Sequence, residues 1–223
     1  MEKSKRSIVD ILERSIAACK KSPGVVVFPD CLDKRVLEAA VQLKAEGLAE
    51  PVLVQSPFAV RRKMQEARIA GAGLTVVDAT SPSLLEKNVS EYRALREEKG
   101  KPVSEAAART SMSCSLAAAA MMVRRGEAEV GVGGNLSSTA DVLIAGLSVL
   151  PKQEGIKTIS SFFLMVSPAD DRQYIFADCA VVPEPSADTL ADIAIASAEK
   201  AAALLGEVPL SLIHISEPTR PSP

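Results

Sequence analysis

The chain has 223 residues, 47% of them hydrophobic and 24% charged, with a formal net charge of −2. That is the make-up of a soluble globular protein of one large or two modest α/β domains. With 3% aromatics, no Trp and no basic excess, nucleic acid is not an expected partner. The longest uncharged run, Thr110 to Val123, falls short of the roughly 18–20 residues of a membrane span, and Asp10 and Glu13 interrupt any signal-peptide core.

In chain order, Ser7 to Lys20 places Ile8, Ile11, Leu12 and Ile16 at helical spacing. Pro23-Gly24 stops that helix, and Val25-Val26-Val27-Phe28 reads as a short buried strand. Asp33 is placed to cap a helix whose apolar face is Val36, Leu37, Ala40 and Leu43, with Gly47 as its stop. Pro51 to Gln55 predicts a strand, Ser56-Pro57 a helix start, and Gly73 to Asp78 a third strand. Helices are expected over Ser83 to Glu98 and, as one alanine-rich element, over Ser104 to Arg125. A strand from Glu129 to Val132, a glycine turn and a helix from Ser138 to Leu150 follow. Thr158 to Val166 and Gln173 to Asp178 read as strands in quick succession, and Ser186 to Leu205 as a closing helix. Apolar strands alternating with helices predict a mainly parallel sheet covered on both sides, a three-layer α/β/α arrangement. The best candidate boundary lies at Pro151 to Gly155, giving a first domain over 1–150 and the start of a second over 151–209.

Raw material for several chemistries is missing. Cys19, Cys31, Cys114 and Cys179 are scattered with no CxxC pair, which gives no zinc or thioredoxin motif and suits a reducing cytoplasm. The single histidine, His214, lies in the tail, so Ser-His or Cys-His catalysis and a histidine metal site have almost nothing to draw on. No metal is expected.

The stretch Glu129 to Leu143, EVGVGGNLSSTADVL, is the richest in function. Gly131, Gly133 and Gly134 allow a tight turn and a close backbone approach, and Asn135, Ser137, Ser138 and Thr139 add side-chain donors ahead of a helix N-terminus. An oxyanion cradle and a tight turn with an N-cap both fit that pattern. It is not a P-loop, and Leu136 stands where GxGxxG needs its third glycine. Arg96 and Lys99, in a last helical turn, fit either phosphate contact or a solvated face. Asp30 and Asp178 follow strands, where carboxylates serve as bases or as caps; neither has a visible partner, and no catalytic residue is assigned.

Taken together, VVVFPDCLDKRVLEAA, LREEKG, AAAAMMVRRGEAEVGVGGNLSSTADVL, TISSFFLMV and FADCAVVPEPSADTLADIAIASAE resemble the phosphate acetyltransferase/phosphate butyryltransferase family, particularly its short ethanolamine-utilisation type. The resemblance covers about Ile8 to Pro209. It implies two α/β/α domains of the isocitrate/isopropylmalate-dehydrogenase-like fold, the second incomplete here. It further implies interconversion of acetyl-CoA plus phosphate with acetyl phosphate plus CoA, with coenzyme A as a substrate, no bound cofactor, and a homodimeric parent in the cytoplasm or a bacterial microcompartment. In such enzymes an aspartate deprotonates the CoA thiol. Arg96 matches the family's LRxxKG arginine, and Gly133, Gly134, Asn135, Ser137, Ser138 and Thr139 match its phosphate-side loop.

Two departures stand out. Ile144 occupies a place where the family usually carries an arginine. After GEVP the chain reads LSLIHISEPTRPSP, aperiodic, with three prolines in its last six residues, like a translated sequencing-library adapter. On that reading residues 210–223 are a non-native tail, the family's later serine, arginine and catalytic aspartate are missing, and the fragment alone is inactive with a sheet edge uncovered. Phosphate butyryltransferase, a non-catalytic phosphate-binding module and, on fold analogy only, an NAD-dependent dehydrogenase are the alternatives.

Overall fold

The computed structural model describes residues 8–71, 73–152, 157–167, 173–179 and 181–205. Two compact units divide it: Ile16–Pro151, and the described parts of Met1–Ser15 with Lys152–Pro223. The expected division put the whole first helix with the larger unit. Instead α1 (Ile8–Lys21) spans both, its first half tied to the smaller unit where Arg14 Nη2 donates to Leu204 O at 2.9 Å. The tail from Leu210 and His214 lies outside the described residues.

In the larger unit, four strands form one parallel sheet in the order β3-β2-β1-β4: β1 (Gly24–Phe28), β2 (Ala49–Val54), β3 (Thr75–Val77) and β4 (Val130–Gly131). Their β-branched residues suit a pleated surface buried on both faces. Alternation then sends neighbours to opposite sides. Phe28 and Leu53 pack with Val36, Leu37, Ala40 and Val60 from α2 (Lys34–Ala45) and α3 (Pro57–Ala67). Val27, Val52 and Val54 pack with Ala118, Ala119 and Met122 from α6 (Ser115–Arg124). Burying a side chain the size of Leu37, which is fully enclosed, contributes roughly 1.5–3 kcal/mol. Behind α6 lie α4 (Pro82–Glu98) and α5 (Glu105–Met112), joined to it through Tyr92, Leu95, Ala108, Met112 and Met121.

The sequence pattern predicts one helix over Ser104 to Arg125, but two form. Thr110 Oγ1, Ser111 Oγ and Ser113 Oγ each bond back to carbonyls of the preceding turn, offering the backbone an alternative to continued helix. The chain turns at Ser113-Cys114, so α5 packs on α4 while α6 reaches the sheet. The strand expected over Glu129 to Val132 is two residues long, although Glu129 N and Val132 N still bond to Val25 O and Val27 O. β4 pairs only with β1 among the described residues, and Val130 and Val132 are exposed.

In the smaller unit, β5 (Phe162–Val166) and β6 (Gln173–Ala177) pair antiparallel, and α8 (Ala187–Leu205) packs against β6. This pair is the departure from βα alternation that the closely spaced strands predict.

Candidate functional site

Strand order reverses direction between β1 and β4: from β1 the chain proceeds outward to β2 and β3, then returns to β4 on the other side. Loops leaving the carboxyl ends of two such strands diverge to opposite faces and open a crevice, the usual ligand position in α/β sheets. Both chemistry-bearing stretches lie there. Asp30 is two residues past β1, and Gly133 is two residues past β4. The turn then enters α7 (Thr139–Val149).

Packing fixes where the turn can go. A Cβ on Gly133 would lie 3.2 Å from Leu116 Cδ2 and 3.3 Å from Pro29 Cγ, closer than ordinary contact. Gly134 has φ +107°, a conformation that side chains rarely adopt. The backbone so bent points successive amides inward, a nest that favours an anion.

The anion in that nest belongs to the chain itself. Asp30 Oδ2 accepts from the amides of Gly134 at 2.7 Å, Asn135 at 3.0 Å, Leu136 at 3.2 Å and Ser137 at 3.3 Å. Ser137 Oγ donates to Oδ1 at 2.6 Å. The amides expected to cradle a phosphate thus hold a carboxylate of the chain itself, only 5% exposed. Burial by itself pushes the Asp30 carboxyl up, but the bonds from Ser137, Gly134 and Leu136 outweigh it and hold the group below its ordinary value. Cys31, fully buried beside it, is pushed up to about 12, first by burial and further by the Asp30 charge, so it is an inert thiol.

The other expected site residues divide into three sets. Ser138 caps α7 in a reciprocal box with Asp141, so its hydroxyl also has an internal role. Asn135 and Thr139 keep side-chain capacity. The Asn135 carboxamide contributes to holding Asp33 at about 2, where the Arg35 side-chain and backbone bonds are the larger causes. The amides of Thr139 and Ala140, in the first turn of α7, have no partner among the described residues. Ile144 projects from α7 with 65% of its surface exposed and supplies no donor.

Arg96 lies in the last turn of α4. Leu116, at the start of α6, packs at Gly133, while Val123, near its end, approaches Gly131; α6 therefore runs from the crevice toward the amino ends of the strands. Arg125, just past α6, bonds Asn88 and Glu91 of α4, and Arg96 lies more than a turn further along. There its Nε donates to Lys101 O at 3.1 Å and closes the end of α4.

Asp178 mirrors Asp30 within the smaller unit. Its Oδ1 accepts from Ser161 N and Oγ at 2.7 and 3.0 Å, and its Oδ2 from Val181 N and Val182 N at 2.8 Å. Burial pushes this carboxyl up, yet the bonds from Val182, Ser161 and Val181 bring it down to about 2. A carboxylate held so low is a poor proton acceptor. Neither strand-end aspartate is thus set as a thiol-deprotonating base. The pairing of Asp30 with residues more than a hundred positions away was missed because the adjacency of β1 and β4 is not written locally in the sequence. The available signal was an aspartate just past one apolar strand and a glycine-hydroxyl turn just past another.

Among the described residues no group of three or more His, Cys, Asp or Glu is placed to hold a metal, and no helix is long and apolar enough to cross a membrane.

Comparison with known proteins gives a consistent result. Residues 10–221 match the family model described as Phosphate acetyl/butaryl transferase; the matched range runs into the segment after Pro209. A phosphate acetyltransferase of Acetivibrio thermocellus is 31% identical over 205 residues, covering 90% of this chain and 60% of the relative. A phosphotransacetylase of Streptococcus pyogenes superposes with a TM-score of 0.81 at 29% identity, over 89% of this chain and 59% of that one. The EutD phosphotransacetylase of Staphylococcus aureus superposes with a TM-score of 0.78 at 28% identity, over 89% and 58%. The chain spans about 60% of the length of the curated relatives it matches.

Proposed function

The chain belongs to the phosphate acetyl/butaryl transferase family, and on that premise we propose that it carries the phosphate side of an acyltransferase interconverting acetyl-CoA plus phosphate with acetyl phosphate plus CoA. In the direction of acetyl-CoA synthesis the CoA thiolate forms a bond to the acetyl carbonyl carbon of acetyl phosphate, and the carbon–oxygen bond to phosphate breaks, releasing phosphate with its electron pair. The observation that carries this reading is a family-matched glycine-hydroxyl turn lying at the sheet's switch point. Phosphate contact falls to the groups the turn leaves outward: the Asn135 carboxamide, the Thr139 hydroxyl, and the amides of Thr139 and Ala140. Asp141 sits in the first turn of α7, Asp33 is paired with Arg35, and Ile144 adds no cation, so weak affinity for phosphate is expected.

The thiol-deprotonating base is not among the described strand-end aspartates, since both hold loop amides. We propose a non-native tail from Leu210, although the family match extends to residue 221, and the source DNA past the Pro209 codon decides that point. The 223-residue chain is expected to show negligible CoA-dependent consumption of acetyl phosphate, and a parent restored to the relatives' length to show turnover. Robust turnover by the purified chain contradicts the first expectation. Comparing acetyl and butyryl phosphate on the restored parent separates acetyl from butyryl transfer.

A phosphate-binding module without catalysis is the second reading, favoured by Ile144 and by the engaged aspartates; it gains if the restored parent binds phosphate yet turns nothing over. A homodimeric parent is proposed, to be checked by sedimentation. A cytoplasmic location is supported by four free cysteines.

A further inference from the structure

Asp30 is built too specifically into the turn to be a chance contact, and its side chain is nearly enclosed. Five donors converge on it, four backbone amides and the Ser137 hydroxyl, at 2.6–3.3 Å. It reaches them across the gap between two strand ends, from Asp30 to Gly134 and beyond. The covalent path between these partners is over a hundred residues long, so the bond is a tertiary tie and not a local turn. Without it, four inward-pointing amides would lack an acceptor, and the glycine backbone, free of side-chain constraint, would reopen.

We infer that Asp30 is the positioning residue of the phosphate-side loop: as an internal anion it fixes the backbone of Gly134–Ser137, and so sets the direction of the Asn135 carboxamide and the start of α7. The inference rests on the function proposed above. The tie acts through the loop and never touches the substrate. It accounts for a carboxylate at the centre of a turn whose sequence reads as an anion cradle: the inner amides take the chain's own anion, and the outer ones remain for a guest. Preorganisation of this kind matters because a misplacement of about 1 Å at a binding group can cost on the order of a hundredfold in rate or affinity.

The test is titration of the purified chain with inorganic phosphate, read from the amide NMR signals of Thr139 and Ala140 and the side-chain signal of Asn135. The wild-type chain is expected to shift at these three positions. Asp30→Asn, which keeps the shape but removes the charge, is expected to bind about tenfold more weakly, and Asp30→Ala on the order of a hundredfold more weakly. Formate, a small carboxylate able to enter the vacated nest, is expected to restore phosphate binding to Asp30→Ala and to leave the wild type unchanged. If Asp30→Ala does not fold, Ser137→Ala removes one donor and is expected to weaken binding several-fold.

Equal affinity in wild type and Asp30→Asn overturns the positioning role and leaves the proposed function standing. Tighter phosphate binding by Asp30→Ala at the Gly134–Ser137 amides also overturns it, by showing Asp30 to be a competitor. No shift in the wild-type chain overturns the proposed phosphate-side function itself, and the inference with it.

Discussion

Asp30 and Asp178 solve the same problem in different ways. Each follows a strand, each accepts several loop amides, and each is held below the ordinary carboxylate range against the opposing effect of burial. Asp178 works close to home: two of its donors are Val181 and Val182, three and four residues on, and Ser161 immediately precedes β5, the partner strand of one hairpin. Asp30 instead joins loops from two strands whose sequence separation exceeds a hundred residues. A local tie closes a turn, whereas a distant tie shapes the mouth of a sheet. The difference lies in topology: the same chemistry closes a local turn in one case and joins two strand ends in the other.

The comparison predicts unequal losses. Asp30→Ala leaves several buried donors without an acceptor and is expected to destabilise the larger unit by about 3 kcal/mol, measured by urea denaturation, with faster amide exchange from Gly134 to Ser137. Asp178→Ala exposes a turn that water can reach and is expected to cost about 1–2 kcal/mol, with exchange accelerating at Val181 and Val182 only. Equal losses would erase the distinction. Gly134→Ala forces a side chain into φ +107° and is expected to cost about 1–2 kcal/mol. Ser138→Ala removes the α7 cap at about 1 kcal/mol, without disturbing Asp30.

Acid sharpens the contrast further. Both carboxyls are depressed on folding, so their contribution is complete above the unfolded value and is lost as pH falls through the folded one. For Asp178 that window runs from the ordinary 3.8 down to about 2. Chemical shifts of Val181 and Val182 are expected to stay constant from neutral pH down to about 5 and to change only below about 4.

Much of this molecule was legible beforehand because its signals are local. Val25–Phe28 and Pro51–Gln55 read as strands from composition alone, and Asp33 and Ser56 read as helix starts from one side chain and its next turn. The glycine turn was found for the same reason. What went unread depends on contacts across the fold. A helix break at Ser113-Cys114 needs side chains bonding back to carbonyls that an alanine-rich pattern hides. The occupant of the nest needs β1 beside β4, and nothing near Asp30 or Gly134 states that adjacency. Arg96 reads as a phosphate contact in its motif, while at the end of α4 its Nε donates to Lys101 O.

The most direct measurement is a crystal structure of the chain grown in phosphate, examined at Asp30. The account predicts the Asp30 carboxylate within hydrogen-bonding distance of the amides of Gly134 through Ser137, with any phosphate held outside them near Asn135 and Thr139. A phosphate seated on those four amides, with the Asp30 side chain turned away, would contradict it.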